Sequence, residues 1–251
     1  MSDASARDVI LARIREALRA PAALPHALLH AAADHRPGAA ATGGPHGTAA
    51  LPALAILPEE AARPWLPDGG DTLEERLQLL VENLGKLRAV VQRVPTLDAA
   101  AEYVFALARE RDWQRVAWHR HPLVEPLLAG IPCVSHEVGP EAFDKSALEA
   151  CDAGLTACEC LVAQTGSILV SSATCGGRAL SILPHVHVVV ATIDQVVGTL
   201  ADALHAARDR HEGRLPSMLS FITGPSRTGD IERILVLGAH GPKELFVILV
   251  G

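Results

Sequence analysis

The chain has 251 residues, 49% apolar and 20% charged, which is enough to bury a sizeable core and excludes disorder throughout. Aromatic residues make up only 3%, and 22 Lys and Arg stand against 29 Asp and Glu for a net charge of −7, so neither a base-stacking platform nor a basic face for nucleic acid is expected. The longest apolar runs, such as Val186–Ala191 and Leu245–Val250, fall far short of the roughly 20 residues of a membrane helix. The acidic start from Met1 to Asp8 lacks the pattern of a secretory leader, and five cysteines are an odd count for a disulfide framework. The expectation is a cytoplasmic chain in a reducing compartment, with no membrane insertion.

Asp3 to Ala20 places Val9, Ile10, Ile14, Ala17 and Leu18 at helical spacing and stops at Pro21, which predicts an amphipathic N-terminal helix. From Pro21 to Gly70, Ala, Pro, Gly and His dominate, and only Leu51–Leu57 is mildly strand-like. This reads as a long, partly mobile connection, dividing the chain into a helical arm over 1–70 and an α/β domain over 71–251. Asp71-Thr72-Leu73-Glu74 has capping-box spacing and opens a helix whose apolar stripe is Leu73, Leu77, Leu80, Val81 and Leu84.

Strand-like and helical segments then alternate: Ala89–Val94, Thr96–Arg111, Arg115–Trp118, Pro122–Ala129 and Ile131–Ser135. Strands follow near Gly154–Thr156, Ser167–Ser171 and Val186–Ala191, then a helix over Ile193–Arg210 introduced by the capping pair Thr192 and Gln195, and final strands near Met218–Thr223 and Glu244–Val250. The alternation predicts an α/β fold, an open, largely parallel sheet with flanking helices that presents ligands at the carboxyl ends of its strands.

Three stretches carry candidate chemistry. In Thr223-Gly224-Pro225-Ser226-Arg227-Thr228-Gly229-Asp230-Ile231 the glycines permit close backbone approach, while Ser226, Arg227 and Thr228 present donors to an anion just past an apolar strand. A tight turn with Arg227 paired to Asp230 or Glu232 is the competing reading. Gln164-Thr165-Gly166-Ser167, with Arg178 and Ser181 downstream, offers hydroxyls and a guanidinium, or simply a hairpin turn. His240-Gly241-Pro242 places a titratable ring among breakers, which also describes a capped turn. His185 and His187 share one face of a strand, but no further ligand completes a metal site there, and no metal is expected.

Cys151, Cys158, Cys160 and Cys175 match no iron–sulfur or zinc spacing and read as buried small hydrophobes, with Cys158-Glu159-Cys160 leaving a redox or metal role open. P-loop, G-x-G-x-x-G and G-x-S-x-G signatures are missing.

Asp152-Ala153-Gly154-Leu155-Thr156, Ala163-Gln164-Thr165-Gly166-Ser167, Arg178 with Ser181-Ile182-Leu183-Pro184, and Ile222 to Glu232 through His240-Gly241-Pro242 resemble, in order and spacing, the lactate-utilisation protein C family, the stand-alone form of the LUD domain. The resemblance runs from about Asn83 to the C-terminus. It implies a core like the ribose-phosphate isomerase, glucosamine-phosphate deaminase and CoA-transferase fold, and a bacterial part in L-lactate oxidation to pyruvate beside two iron–sulfur partner proteins. The chain itself lacks the ferredoxin-like cysteine runs of larger relatives and is expected to hold no cluster. Gln164 stands where the family usually carries a glutamate, and an amide cannot act as the nucleophile that related CoA-transferases use.

These readings converge on an accessory subunit that binds an anionic ligand in a cleft lined by Thr165, Arg178, Ser226, Arg227, Thr228 and His240. A stand-alone enzyme on a phosphorylated sugar or CoA thioester, with His240 or Asp230 as general acid or base, is the rival. A non-catalytic adaptor docking partners through its N-terminal arm is the third reading. The turn around Gln164 is expected to be solvent-accessible, so that Gln164→Glu leaves the fold intact.

Overall fold

The computed structural model describes residues 67–139, 144–228, 236–237 and 241–251. The expected helix over Asp3–Ala20, the Leu51–Leu57 run and most of the Pro21–Gly70 connection lie outside them, as do Asp230 and His240.

The helix α1 (Leu73–Lys86) begins with a capping box between Thr72 and Glu75, one residue on from the spacing seen in the sequence, and buries Leu77, Leu80 and Leu84. Strand β1 (Val90–Val94) leads to α2 (Leu97–Glu110), capped by Thr96, and to β2 (Arg115–Trp118). A 3-10 turn at Glu125–Leu128, where a longer helix was expected, precedes β3 (Val134–Glu137), the short α3 (Lys145–Glu149) and β4 (Ala153–Thr156). Strands β5 (Cys160–Val162) and β6 (Ser167–Ser171) form a hairpin, followed by β7 (Val186–Thr192).

The long helix expected from Ile193 is not formed. Thr192 and Gln195 do make a capping box, but it introduces a single 3-10 turn, Ile193–Gln195. The β-branched pair Val196–Val197 then leaves as β8 to pair with β5, and α4 starts afresh at Leu200 under a Thr199–Asp202 box, running to Arg210. Strands β9 (Leu219–Ile222), β10 (Arg227–Thr228), β11 (Val236–Leu237) and β12 (Glu244–Val250) complete the described elements.

Six strands form a sheet in the order β1-β12-β7-β4-β2-β3, every pairing parallel. Its centre is buried on both faces, which is why β7 and β12 read as near-continuous apolar runs. On one face Phe246, Ile248, Val188, Val190 and Leu155 pack with Val104 and Leu107 of α2 and with Leu127 of the 3-10 turn. On the other, Val247, Leu249, Val189 and Ala191 pack with α1 and with Leu161, Ile168 and Val170 of a second sheet, β8-β5-β6-β9.

The connections decide where a ligand site can lie. From β2 the chain moves outward to the edge strand β3 through the 3-10 turn packed beside α2, whereas from β4 it moves inward to β7 through the second sheet on the opposite face. The direction of winding therefore reverses between β2 and β4, and a crevice opens outside their carboxyl ends. Among the described residues, no helix is long and apolar enough to cross a membrane.

Candidate functional site

A cleft of about 600 Å³ occupies that reversal point. Its walls are His119 and Arg120 just past β2, Glu137 to Gly139 at the end of β3, and the loop Ser172–Ala179 that follows β6. Arg120 and Glu137 form a paired fork, with Nε to Oε1 and Nη2 to Oε2 both at 3.2 Å. Arg178 is exposed and, among the described residues, makes no hydrogen bond or ion pair, so its guanidinium is the cation in the cleft available to a ligand.

His119 spans the crevice itself. Its Nε2 accepts from the Ala157 backbone N–H at 3.1 Å, joining the ends of β2 and β4 and leaving the hydrogen on Nδ1 when the ring is neutral. Burial, assisted by the neighbouring His121 whose ring lies 5.6 Å away, lowers its pKa to about 4. His121 is lowered too, by burial and then by Arg210. The ring at the cleft's base is therefore neutral at physiological pH.

Behind the loop lies a buried carboxylate. Glu159 receives the Arg210 guanidinium at 2.6 Å, faces His211 Nε2 at 2.9 Å and accepts from the Thr174 hydroxyl. Burial works to raise its pKa, but hydrogen bonds from Ser171, Thr174, His211 and Arg210 outweigh that and bring it to about 2. The cysteines flanking it behave as the sequence suggested for buried thiols: burial pushes Cys160 up to about 12 and Cys158 upward as well. Among the described residues no cluster of three His, Cys, Asp or Glu side chains is arranged to hold a metal ion. His187 is packed inside the sheet, its Nε2 2.8 Å from the Thr156 hydroxyl, with burial lowering it to about 3.

The residues expected to share one cleft fall into two groups. Thr165 sits in the β5–β6 turn, its hydroxyl 2.7 Å from Ser167, which in turn is 2.8 Å from Thr223. Arg178 follows the other end of β6, five residues that span roughly 16 Å. Ser226 lies near the first group, its N–H donating to the Pro242 carbonyl at 2.8 Å. Arg227 also belongs there: its guanidinium donates to the carbonyl of Leu87, the residue that caps α1. The Thr228 backbone pairs with Val236, while Asp230 and His240 are outside the described residues.

Two expectations are corrected. The loop after Ile222 does not emerge from the parallel sheet, because β9 is the edge strand of the second sheet and runs antiparallel to β6. The turn at Gln164 is not open either. That side chain is only 7% exposed, its amide donating to the Pro67 carbonyl at 2.7 Å and its oxygen facing Leu200 N at 3.5 Å. Asn83 of α1 closes the turn from the other side, donating to the Ala163 carbonyl at 2.8 Å.

Sequence reasoning passed over His119, Arg120, Glu137, Glu159, Arg210 and His211. A signal was present for the first two, since His119-Arg120-His121 directly follows the apolar run Val116–Trp118 in a βαβ pattern. Glu159 stood out as a charge within an otherwise apolar stretch.

An all-parallel open sheet with a cation-bearing cleft at its reversal point, backed by a smaller mixed sheet, defines an α/β domain with a candidate ligand cleft. The chain belongs to the LUD-domain family, whose model, described as LUD domain, matches residues 77–250. Among similar proteins, "Lactate utilization protein C" of Deinococcus radiodurans is 38% identical over 131 residues, 49% of this chain and 60% of that protein. The Bacillus subtilis protein of the same name is 33% identical over 114 residues, 45% of this chain and 47% of its own length. The chain thus spans about half the length of the curated relatives it matches. A crystal structure of a DUF162-family protein from Deinococcus radiodurans superposes with a TM-score of 0.55 at 26% identity, covering 72% of this chain and 99% of that one.

Proposed function

We propose that this chain serves lactate utilisation as an accessory subunit in the oxidation of L-lactate to pyruvate, binding a small anionic ligand in the cleft between β2, β3 and the Ser172–Ala179 loop. The names of its curated relatives support the pathway. The observation that carries the ligand class is Arg178, an exposed guanidinium unpaired among the described residues, in the crevice at the reversal point of a parallel sheet. Its planar fork suits a carboxylate, and the neutral His119 ring adds no competing charge. Covalent catalysis is not part of this role.

The chain acts in the cytoplasm with two iron–sulfur proteins that hold the clusters, and it carries none of its own. Buried cysteines whose thiols are pushed upward by desolvation support that division, because cluster ligation requires thiolates. A second reading, a stand-alone enzyme on a phosphorylated sugar or CoA thioester, is supported by the cleft's size, since about 600 Å³ is room for a ligand much larger than lactate.

Calorimetric titration of the full chain with L-lactate, pyruvate, inorganic phosphate and a sugar phosphate tests both. Arg178→Lys is expected to weaken carboxylate binding by about 1–3 kcal/mol through loss of the planar fork, with unchanged melting temperature. Equal affinity of the parent and Arg178→Ala for every anion that binds would overturn the site, and binding of the sugar phosphate alone would favour the second reading.

A further inference from the structure

Glu159 joins β5, the end of α4 and the cleft loop at one carboxylate. Its side chain is 1% exposed and immediately precedes β5. Arg210, the last residue of α4, reaches it with a single guanidinium nitrogen that donates both to the carboxylate and, at 2.8 Å, to the Glu159 carbonyl. His211, the next residue, meets the other carboxylate oxygen. These partners belong to α4 and hold it to the second sheet. Thr174 is different, because it belongs to the loop that forms one wall of the cleft.

The hydroxyls give the contact a direction. Thr174 has one hydroxyl hydrogen, and it goes to Glu159, which can only accept. The Ser171 hydroxyl, 3.0 Å from Thr174 Oγ1, also favours the Glu159 carboxylate, and its oxygen accepts the backbone N–H groups of Ala173 at 3.2 Å and Thr174 at 3.1 Å. The first turn of the loop is thus drawn onto a fixed negative charge. Two residues further on, Gly176 has φ of +77°, and a Cβ there would lie 2.4 Å from Leu180 and 3.0 Å from His119, so the loop is pressed directly on the end of β2. Arg178 follows two residues later and makes no hydrogen bond or ion pair among the described residues. Its position in the cleft is consequently inherited from the loop.

A buried carboxylate is a costly occupant unless its oxygens are fully used, and α4 alone leaves Oε1 with only the histidine. We propose that Glu159 is a positioning residue for the cleft, acting through the Thr174 hydroxyl to set the Ser172–Ala179 loop so that Arg178 faces the ligand. The proposal rests on the cleft being the anion site.

The test isolates the hydroxyl and leaves the buried charge in place. In the full-length protein, Thr174→Val is expected to speed hydrogen exchange of the 172–179 amides at least tenfold, with exchange elsewhere unchanged, and Thr174→Ser to restore it to within about twofold of the parent. Titration with L-lactate and inorganic phosphate is expected to show binding weakened at least fivefold in Thr174→Val and restored in Thr174→Ser, with Arg178→Ala as the control. Unchanged loop exchange in Thr174→Val overturns the proposal, as does acceleration spread over the whole domain, which a merely structural role predicts. If Arg178→Ala loses binding while Thr174→Val retains it, the cleft stands and the positioning role fails. If Arg178→Ala binds like the parent, or no probe binds the parent, the anion cleft fails and the proposal with it.

Discussion

Two histidines buried in neutral form should make this domain acid-labile well above the range where carboxylates titrate. His187, 1% exposed within β7, is lowered from 6.5 to about 3 by burial; His119, at the cleft's base, is lowered from 6.5 to about 4. In both cases the unfolded chain takes up the proton first, so stability is full above pH about 6.5 and falls as the pH drops toward the folded-state values. At pH 4.5 each group has bound close to one proton in the unfolded state and little in the folded state, a loss of about 2.5 kcal/mol apiece and about 5 kcal/mol together. That is a large share of the roughly 5–15 kcal/mol typical of a domain. Glu159 works in the same direction but lower in range, since its stabilisation is present above pH 4.5 and is lost only as the pH falls toward 2. Urea unfolding followed by circular dichroism at pH 7.0 and 4.5 measures the difference, and His187→Gln, which removes one titrating group while keeping a polar partner for Thr156, should lose only about half as much over that interval. If parent and His187→Gln fall by the same amount between the two pH values, the buried neutral histidine is not the source and the reasoning is refuted.

Gln164→Glu is expected to destabilise the domain at neutral pH by about 1–3 kcal/mol, because a carboxylate would replace a donor that serves the Pro67 carbonyl. Part of that loss should return as the pH falls toward about 4, where the protonated acid can donate again; a melting temperature equal to the parent's at pH 7 would show that the turn tolerates charge. Arg227→Ala is expected to cost about 0.5–1.5 kcal/mol through the lost bond to the Leu87 carbonyl and to leave anion affinity within twofold. Loss of anion affinity with unchanged stability would instead restore the ligand role that its Gly-Pro-Ser-Arg-Thr setting suggests.

What could be read from the sequence was local. The Leu77, Leu80 and Leu84 stripe, the Thr96 cap and the apolar runs of β7 and β12 depend on spacing and on burial of both sheet faces, and both leave a mark in composition. The Thr192–Gln195 box was equally visible and misleading, because a capping box declares a helical start and says nothing of length. Val196–Val197 and Gly198, directly after it, were the residues that should have ended the helix. Strand direction left no mark at all. Leu219–Ile222 has the look of any short strand, and only its pairing with β6 puts the following loop on the second sheet.

The candidate site shows the same division between chemistry and placement. Arg178 was legible as a donor, yet its partners in the cleft come from the ends of β2 and β3, some forty to sixty residues earlier, and nothing local links them. What brings them together is the order β4-β2-β3, which turns one crossover connection outward and the next inward. The same topology explains why Glu159 falls where it does: the chain leaving β4 must cross to the opposite face to build the second sheet, and the residue at that crossing is held by α4 on one side and by the cleft loop on the other. A charge buried at a crossover, rather than at a strand tip, is therefore the feature that couples the smaller sheet to the cleft, and a sequence pattern can flag the charge but not the crossing.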